Sequence, residues 1–283
     1  MGFVQWIRVI FTGIIGAVTK WLPISDTGHL LIYREFLGTD EVFRAPFSEL
    51  TAVAAELGAV LALILLYFHK LNPISQFKTE DQKRNTRSLL QKILILGVPF
   101  TVLSAVVEFV PLPIFRMITE NVYTVCVLFI GIGVALLVTE SKRYGKDPSV
   151  LKISELSGKT LWIGGAVALL SVFAGAGHTE VILVALLLLS ASRYVATEMA
   201  FYAAIPITGA RVLLKLARIF IVEQAVLSAA EVIALVVIIG VSMAVSFFVI
   251  RTFLHYLKRH SLRGFGVYRI AVGLLALMIQ VVR

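Results

Sequence analysis

From Leu50 to Phe68 the chain runs nineteen residues with a single charge, Glu56. A helix that is apolar all round can be stable only inside a large core or a bilayer, and about 20 such residues span the hydrocarbon layer. Comparable stretches recur at Leu89–Val110, Val122–Thr139, Ala196–Val222, Ala225–Ile250 and Phe265–Val282, which predicts six spanning helices. The whole chain is 59% hydrophobic and 15% charged, against about 45–50% and about 25% in soluble domains. The expectation is an all-α polytopic membrane protein forming one integral membrane domain over residues 1–283.

The charges sit between the apolar runs. Lys70, Lys78, Lys83, Arg84 and Arg87 form one basic loop, Lys142 to Lys159 a second, and Arg251 to Arg263 a third. This distribution follows the positive-inside rule and places those loops in the cytoplasm. The net charge of +9 is then a topology signal. No basic stripe with interleaved aromatics accompanies it, so nucleic acid is not expected as a partner. The segment Gly2–Val18 is apolar, interrupted by Arg8 and followed by no small-residue cleavage site, which predicts a retained membrane helix. The single cysteine, Cys126, lies within an apolar run and can form no internal disulfide.

Two regions resist the six-span scheme. Ile14–Phe36 is too polar at its centre for a clean span, and Leu161–Leu189 is interrupted by "FAGAGHTE" (Phe173–Glu180). Irregular backbone at membrane depth is tolerated only where protein or a water-filled cavity surrounds it. Each region therefore reads as a re-entrant or broken helix hairpin. They occupy corresponding places in two halves, about 1–140 and 160–283, and each is followed by a polar landmark, Glu49–Gly58 and Ser192–Glu198. Paired interruptions of this kind point to an inverted repeat with its site at the repeat interface.

Ionisable groups within membrane segments cost roughly 2.5–3.5 kcal/mol each on insertion scales and default to functional candidates. In "KWLPISDTGHLL" (Lys20–Leu31), Ser25 and Thr27 offer hydroxyls, Gly28 lets backbone approach a ligand, and Lys20 supplies a cation. His29 can carry a proton near neutral pH. The competing reading makes Ser25 or Asp26 a helix N-cap and His29 a packed side chain. His178 and Glu180 are two apart and would not share a helix face, yet at a loop tip both could converge on the first stretch. Arg193 reads either as a positive flank or as a phosphate contact. Asp26 and Glu56 with a phosphate form a chemically sensible Mg²⁺ or Ca²⁺ site, although no regular metal motif is present.

These stretches resemble the undecaprenyl-diphosphate phosphatase family, also called bacitracin-resistance proteins. "TKWLPISDTGHLLI" is similar to the family's T-E-F-L-P-[IV]-S-S-T-G-H signature and "ELGAVLA" (Glu56–Ala62) to its Q-L-G-S-I-L-A. "SRYVATEMAFYAAIPITGA" (Ser192–Ala210) and "RTFLHYLKRHSLRGFGVYRIAVG" (Arg251–Gly273) resemble its later segments, including the Phe–Tyr–Arg positions. The resemblance implies six spanning helices with re-entrant hairpins and a bacterial cell-membrane protein. It further implies hydrolysis of undecaprenyl diphosphate to the monophosphate carrier of cell-wall precursors. The family site combines a serine and a histidine of the first motif, two glutamates, and an arginine of a P-G-x-S-R-S-G motif. Here the glutamates fall on Gly16 and Lys20, the motif's second serine on Asp26, the arginine on His178 and the last serine on Thr179.

The resemblance and the substitutions together leave Ser25, His29 and His178 as candidate nucleophiles or acid–base groups, with Asp26 and Glu180 as acids. Lys20, Thr27, Gly28, Glu56, Arg193 and Arg269 are the candidate substrate contacts. Two classes follow: a divergent phosphatase with altered or lost hydrolysis, or a non-catalytic polyprenyl-phosphate binder or translocator. A structural or assembly role is a third, and a homodimer is left open.

Overall fold

The computed structural model describes residues 2–25, 28–29, 46–109, 121–143, 147–174 and 177–282, with the side chains of 170–174 and 282 outside that description. Asp26 and Thr27 therefore lie outside the described residues. The described chain is helical apart from short turns. The helices are α1 (Phe3–Trp21), α2 (Phe47–Leu71), α3 (Glu80–Phe109), α4 (Val122–Lys142), α5 (Gly158–Ala174), α6 (His178–Leu188), α7 (Arg193–Ala217), α8 (Ala229–Tyr256) and α9 (Arg263–Val282).

Six of these are long and apolar enough to cross a membrane: α1, α2, α3, α4, α8 and α9. The number agrees with the sequence expectation but the membership does not. The segment expected over Ala196–Val222 forms α7, which is 25 residues long and is not among the six, while α1 is among them as one continuous helix. The physical reason is that α7 is wrapped by protein: Val195 to Ala204 are buried without interruption. The interruption expected in Leu161–Leu189 is present as the α5–α6 pair, two antiparallel-connected short helices packed on each other.

Local chemistry sets several boundaries. Asn121 accepts from the Thr124 amide at 3.2 Å to start α4, and Ser192 accepts from the Val195 amide at 3.2 Å to start α7. Ser228 and Glu231 form a reciprocal capping box at the start of α8, satisfying donors a helix start leaves free. Past Ala217 the chain widens into a π-helical turn, Arg218–Val222, that ends α7.

The packing pairs α2 with α8, α3 with α7, α1 with α8, α3 with α5, and α4 with α9, while α2 also meets α7. Three ion pairs cross the α2–α7 contact. Glu49 accepts from Arg218, Glu56 from Arg211, and Lys70 donates to Glu198 at 2.8 Å. The helices α4 and α9 approach closely because Gly133 and Gly266 face each other; a Cβ on either would stand 2.9 Å from the other's carbonyl oxygen. That approach sets α9, with Tyr268 and Arg269, against Phe129 of α4. The main core, around Trp21, Leu63, Leu96, Ile182, Phe201 and Tyr202, lies beneath the end of α1 and along α6 and α7. By contrast Leu94, Val98, Val102 and Val106 of α3 are exposed, as a lipid-facing stripe requires.

Candidate functional site

α1 stops because Pro23 follows the last turn; Leu22 is already extended (φ −88°, ψ 147°) and Pro disfavours a helical residue before it. Residues 22–24 form a turn, and Ser25 then adopts φ 70°, a left-handed conformation that costs a non-glycine residue about 1–2 kcal/mol. The Ser25 hydroxyl accepts from the Gly28 amide at 3.3 Å, and its carbonyl accepts from the His29 amide at 3.2 Å. Ser25 thus acts as the cap of a new helical turn, and it does so while buried.

Gly28 has no substitute here. A Cβ would lie 1.9 Å from Cε2 of Phe129, so the backbone rests directly on that ring. The His29 ring tilts against the same Phe129, centroids 5.3 Å apart. Its Nδ1 lies 2.7 Å from the Ser25 carbonyl oxygen. A carbonyl can only accept, so Nδ1 carries a proton. Nε2 meets the Tyr268 hydroxyl at 2.8 Å, with the two rings parallel within 2°.

Arg269, only 1% exposed, ties three elements together. It donates to the Glu180 carboxylate on the first turn of α6, to the Pro23 carbonyl in the turn after α1 (3.4 Å), and to the Phe129 carbonyl on α4 (3.3 Å). Its guanidinium also stands 4.8 Å from the Phe129 ring centre. Through this residue the first polar stretch and the α6 N-terminus are brought to one place. A buried pair of this kind is destabilising to break and only modestly stabilising to have, so its chief effect is to fix geometry.

His178 and Glu180 do not converge. His178, also 1% exposed, turns the other way, to the Thr208 hydroxyl of α7 at 3.0 Å and the Phe100 ring of α3 at 5.2 Å. Thr179 lies between them with its buried hydroxyl unpartnered among the described residues, as are the Trp21 indole N–H and the Thr197 hydroxyl. All three residues line one small cavity, together with Leu22, Pro23 and Glu180. Lys20 is buried in the last turn of α1, where its charge offsets the negative helix end.

Two expected contacts lie elsewhere. Arg193 forks onto Glu140 (2.7 and 2.5 Å), and Glu140 also accepts from the Leu262 amide at 3.2 Å. That cluster sits where α7 begins, at the C-terminal end of α6, opposite His178 and Glu180. Both carboxylate oxygens of Glu56 accept from Arg211, so Glu56 is engaged in the α2–α7 contact. With Asp26 outside the described residues, no group of three or more His, Cys, Asp or Glu that could hold a metal occurs among the described ones. At Gly16 a Cβ would lie 3.0 Å from Cβ of Ala55, leaving no room for a longer side chain without moving α1 from α2.

The sequence reading missed Tyr268, Phe129, Thr208 and Glu140. Tyr268 was within reach of it, because it adjoins Arg269 in the closing segment; the other three look like ordinary span residues.

Comparison with known proteins gives a consistent picture. The family profile for "Bacitracin resistance protein BacA" matches residues 9–275. The undecaprenyl-diphosphatase of Streptococcus mutans serotype c is 33% identical over 277 residues, covering 98% of this chain and 96% of that protein. That of Streptococcus gordonii is 34% identical over 279 residues (98% and 96%). The Enterococcus faecalis protein of the same name is 32% identical over 273 residues (96% of each chain).

Proposed function

The chain belongs to the bacitracin resistance protein BacA family, and from that premise we propose that it hydrolyses undecaprenyl diphosphate to the monophosphate within the bacterial cell membrane, using a rearranged acid–base set. The observation that supports this reading most directly is His29, whose Nδ1 is protonated towards Ser25 and whose Nε2 is left as an acceptor. A neutral imidazole with that tautomer can take a proton from water as the water oxygen attacks the terminal phosphorus. The bridging P–O bond then breaks, and the lipid monophosphate leaves with the bridging oxygen. Ser25 is the second nucleophile candidate, but its hydroxyl is committed to the Gly28 amide as an acceptor.

Phosphoryl transfer needs charge neutralisation on the oxygens. The α6 N-terminus, with Thr179 and Glu180 lining the cavity beside Pro23, and Lys20 in the last turn of α1 are the groups assigned to supply it. Arg269 is already neutralised by Glu180. A divalent ion between Asp26 and Glu56 fits poorly, since Arg211 occupies both Glu56 oxygens; no step is assigned to a metal.

The test is phosphate release from undecaprenyl diphosphate by the purified protein, with and without Mg²⁺ or Ca²⁺. Turnover should fall by about 10²–10⁴ in His29→Ala. Absence of release from the wild type, together with retained binding of undecaprenyl monophosphate, would replace hydrolysis by the binder or translocator reading.

That second reading draws on the symmetry of the packing. We infer that about 1–140 and 160–283 are inverted repeats, with α1, α2, α3 and α4 corresponding to α5, α7, α8 and α9. Exchanging the halves turns the α1–α8 contact into α5–α3 and the α2–α8 contact into α7–α3, all of which occur. The same exchange carries Glu56–Arg211 onto Glu198–Lys70: Glu56 and Glu198 are 142 residues apart, Lys70 and Arg211 141. Repeats of this kind suit alternating access.

A further inference from the structure

We propose that Tyr268 is the positioning residue for His29, holding the Nε2 lone pair of the tautomer that the Ser25 carbonyl sets until water or a phosphoryl oxygen arrives. The proposal rests on the hydrolytic reading for its consequence in turnover, but its geometry stands alone. The His29 ring has one nitrogen 2.7 Å from a carbonyl oxygen and the other 2.8 Å from a phenol. Because the carbonyl requires a proton on Nδ1, neutral His29 offers only a lone pair at Nε2, and the Tyr268 hydroxyl must be the donor there. The rings are parallel, 5.8 Å between centroids, so the phenol packs along the imidazole while its oxygen meets Nε2 at 2.8 Å.

The two residues are 239 positions apart, and the α4–α9 contact at Gly133 and Gly266 is what delivers Tyr268 to the site. Tyr268 is 43% exposed, so its hydroxyl has room to yield. A water entering against Nε2 displaces the hydroxyl and finds it close by as a donor to the developing oxyanion.

Removing the hydroxyl takes away the partner that Nε2 has in either protonation state and bares the lone pair of the neutral ring. Among the described residues, Phe129 of α4 packs against the His29 ring, and Arg269 of α9, paired with Glu180 of α6, stands over the same Phe129. Tyr268→Phe leaves all of these and the stacked ring in place. In full-length protein, carbethoxylation of His29 by diethyl pyrocarbonate, read on its own peptide by mass spectrometry, should be several-fold faster at pH 8 in Tyr268→Phe.

In the wild type, ¹⁵N spectra of histidine-labelled protein should show His29 protonated at Nδ1, and this reading needs no variant. Turnover should fall through kcat with KM unchanged, because the hydroxyl acts on the histidine. An unchanged carbethoxylation rate in folded Tyr268→Phe, or an Nε2-protonated wild-type ring, would overturn the proposal. If the wild type releases no phosphate, the hydrolytic reading falls while the carbethoxylation and ¹⁵N outcomes still decide the role of Tyr268.

Discussion

The two ends of α6 are built on opposite terms. At its C-terminus Arg143 donates to the Leu187 and Ala191 carbonyls at 2.9 and 2.5 Å, and the adjoining Arg193–Glu140 fork takes a further bond from Leu262. Polar groups there find partners. At its N-terminus three buried polar atoms have none among the described residues, and nearby Ser25 is held at φ 70°. Native proteins partner nearly all buried polar groups and tolerate strain where the surrounding structure enforces it, most often at functional sites. One end of this helix is an anchor, and the other is a place kept ready for something else.

The largest effect should come from the residue that binds the unsettled end to the rest. Arg269→Ala leaves the Glu180 carboxylate buried and uncompensated, which should cost about 3–5 kcal/mol and appear as a lower thermal midpoint in detergent. Adding Glu180→Leu should recover part of that loss. A cost below about 1 kcal/mol would mean that Arg269 is held loosely and that the ends differ less than the contacts indicate. At the anchored end, Arg193→Ala strands Glu140, whose side chain is 1% exposed, but the arginine itself is 36% exposed. Solvent there should reduce the loss to about 2 kcal/mol in the same measurement.

The strained end should respond in the other direction. Ser25→Gly relieves the left-handed backbone and gives up only a weak cap, for a gain of about 0.5–1 kcal/mol in stability, while phosphate release drops. A loss of stability would show that the Ser25 hydroxyl matters more than the backbone. Smallest of all, Trp21→Phe deletes an indole N–H that has no acceptor among the described residues. The change should lie within about 1 kcal/mol of zero; a loss of 2 kcal/mol or more would reveal a partner for Nε1.

Much of this architecture is legible in the amino-acid order. Leu50–Phe68 and its counterparts announce spans because bilayer thickness fixes their length, and "FAGAGHTE" announces a break because glycine and charge cannot continue one. The fate of individual charges is not legible. Arg193 looks like a phosphate contact until Glu140, 53 residues away, claims it, and Arg269 until Glu180, 89 away, does. The segment from Ala196 onwards looks like a span by length, yet its charges are matched across to α2 rather than shed to the ends. The left-handed Ser25 carries no sequence signal, since serine seldom occupies that conformation.

The α2–α7 ion pairs act as a gauge of register. Seven residues forward along α2, from Glu49 to Glu56, match seven backward from Arg218 to Arg211, and fourteen forward to Lys70 match thirteen backward to Glu198. Sliding one helix along the other by a single turn, about 5.4 Å, would part all three couples at once. The α2–α7 contact therefore behaves as a detent, stiff to translation because every couple must part together.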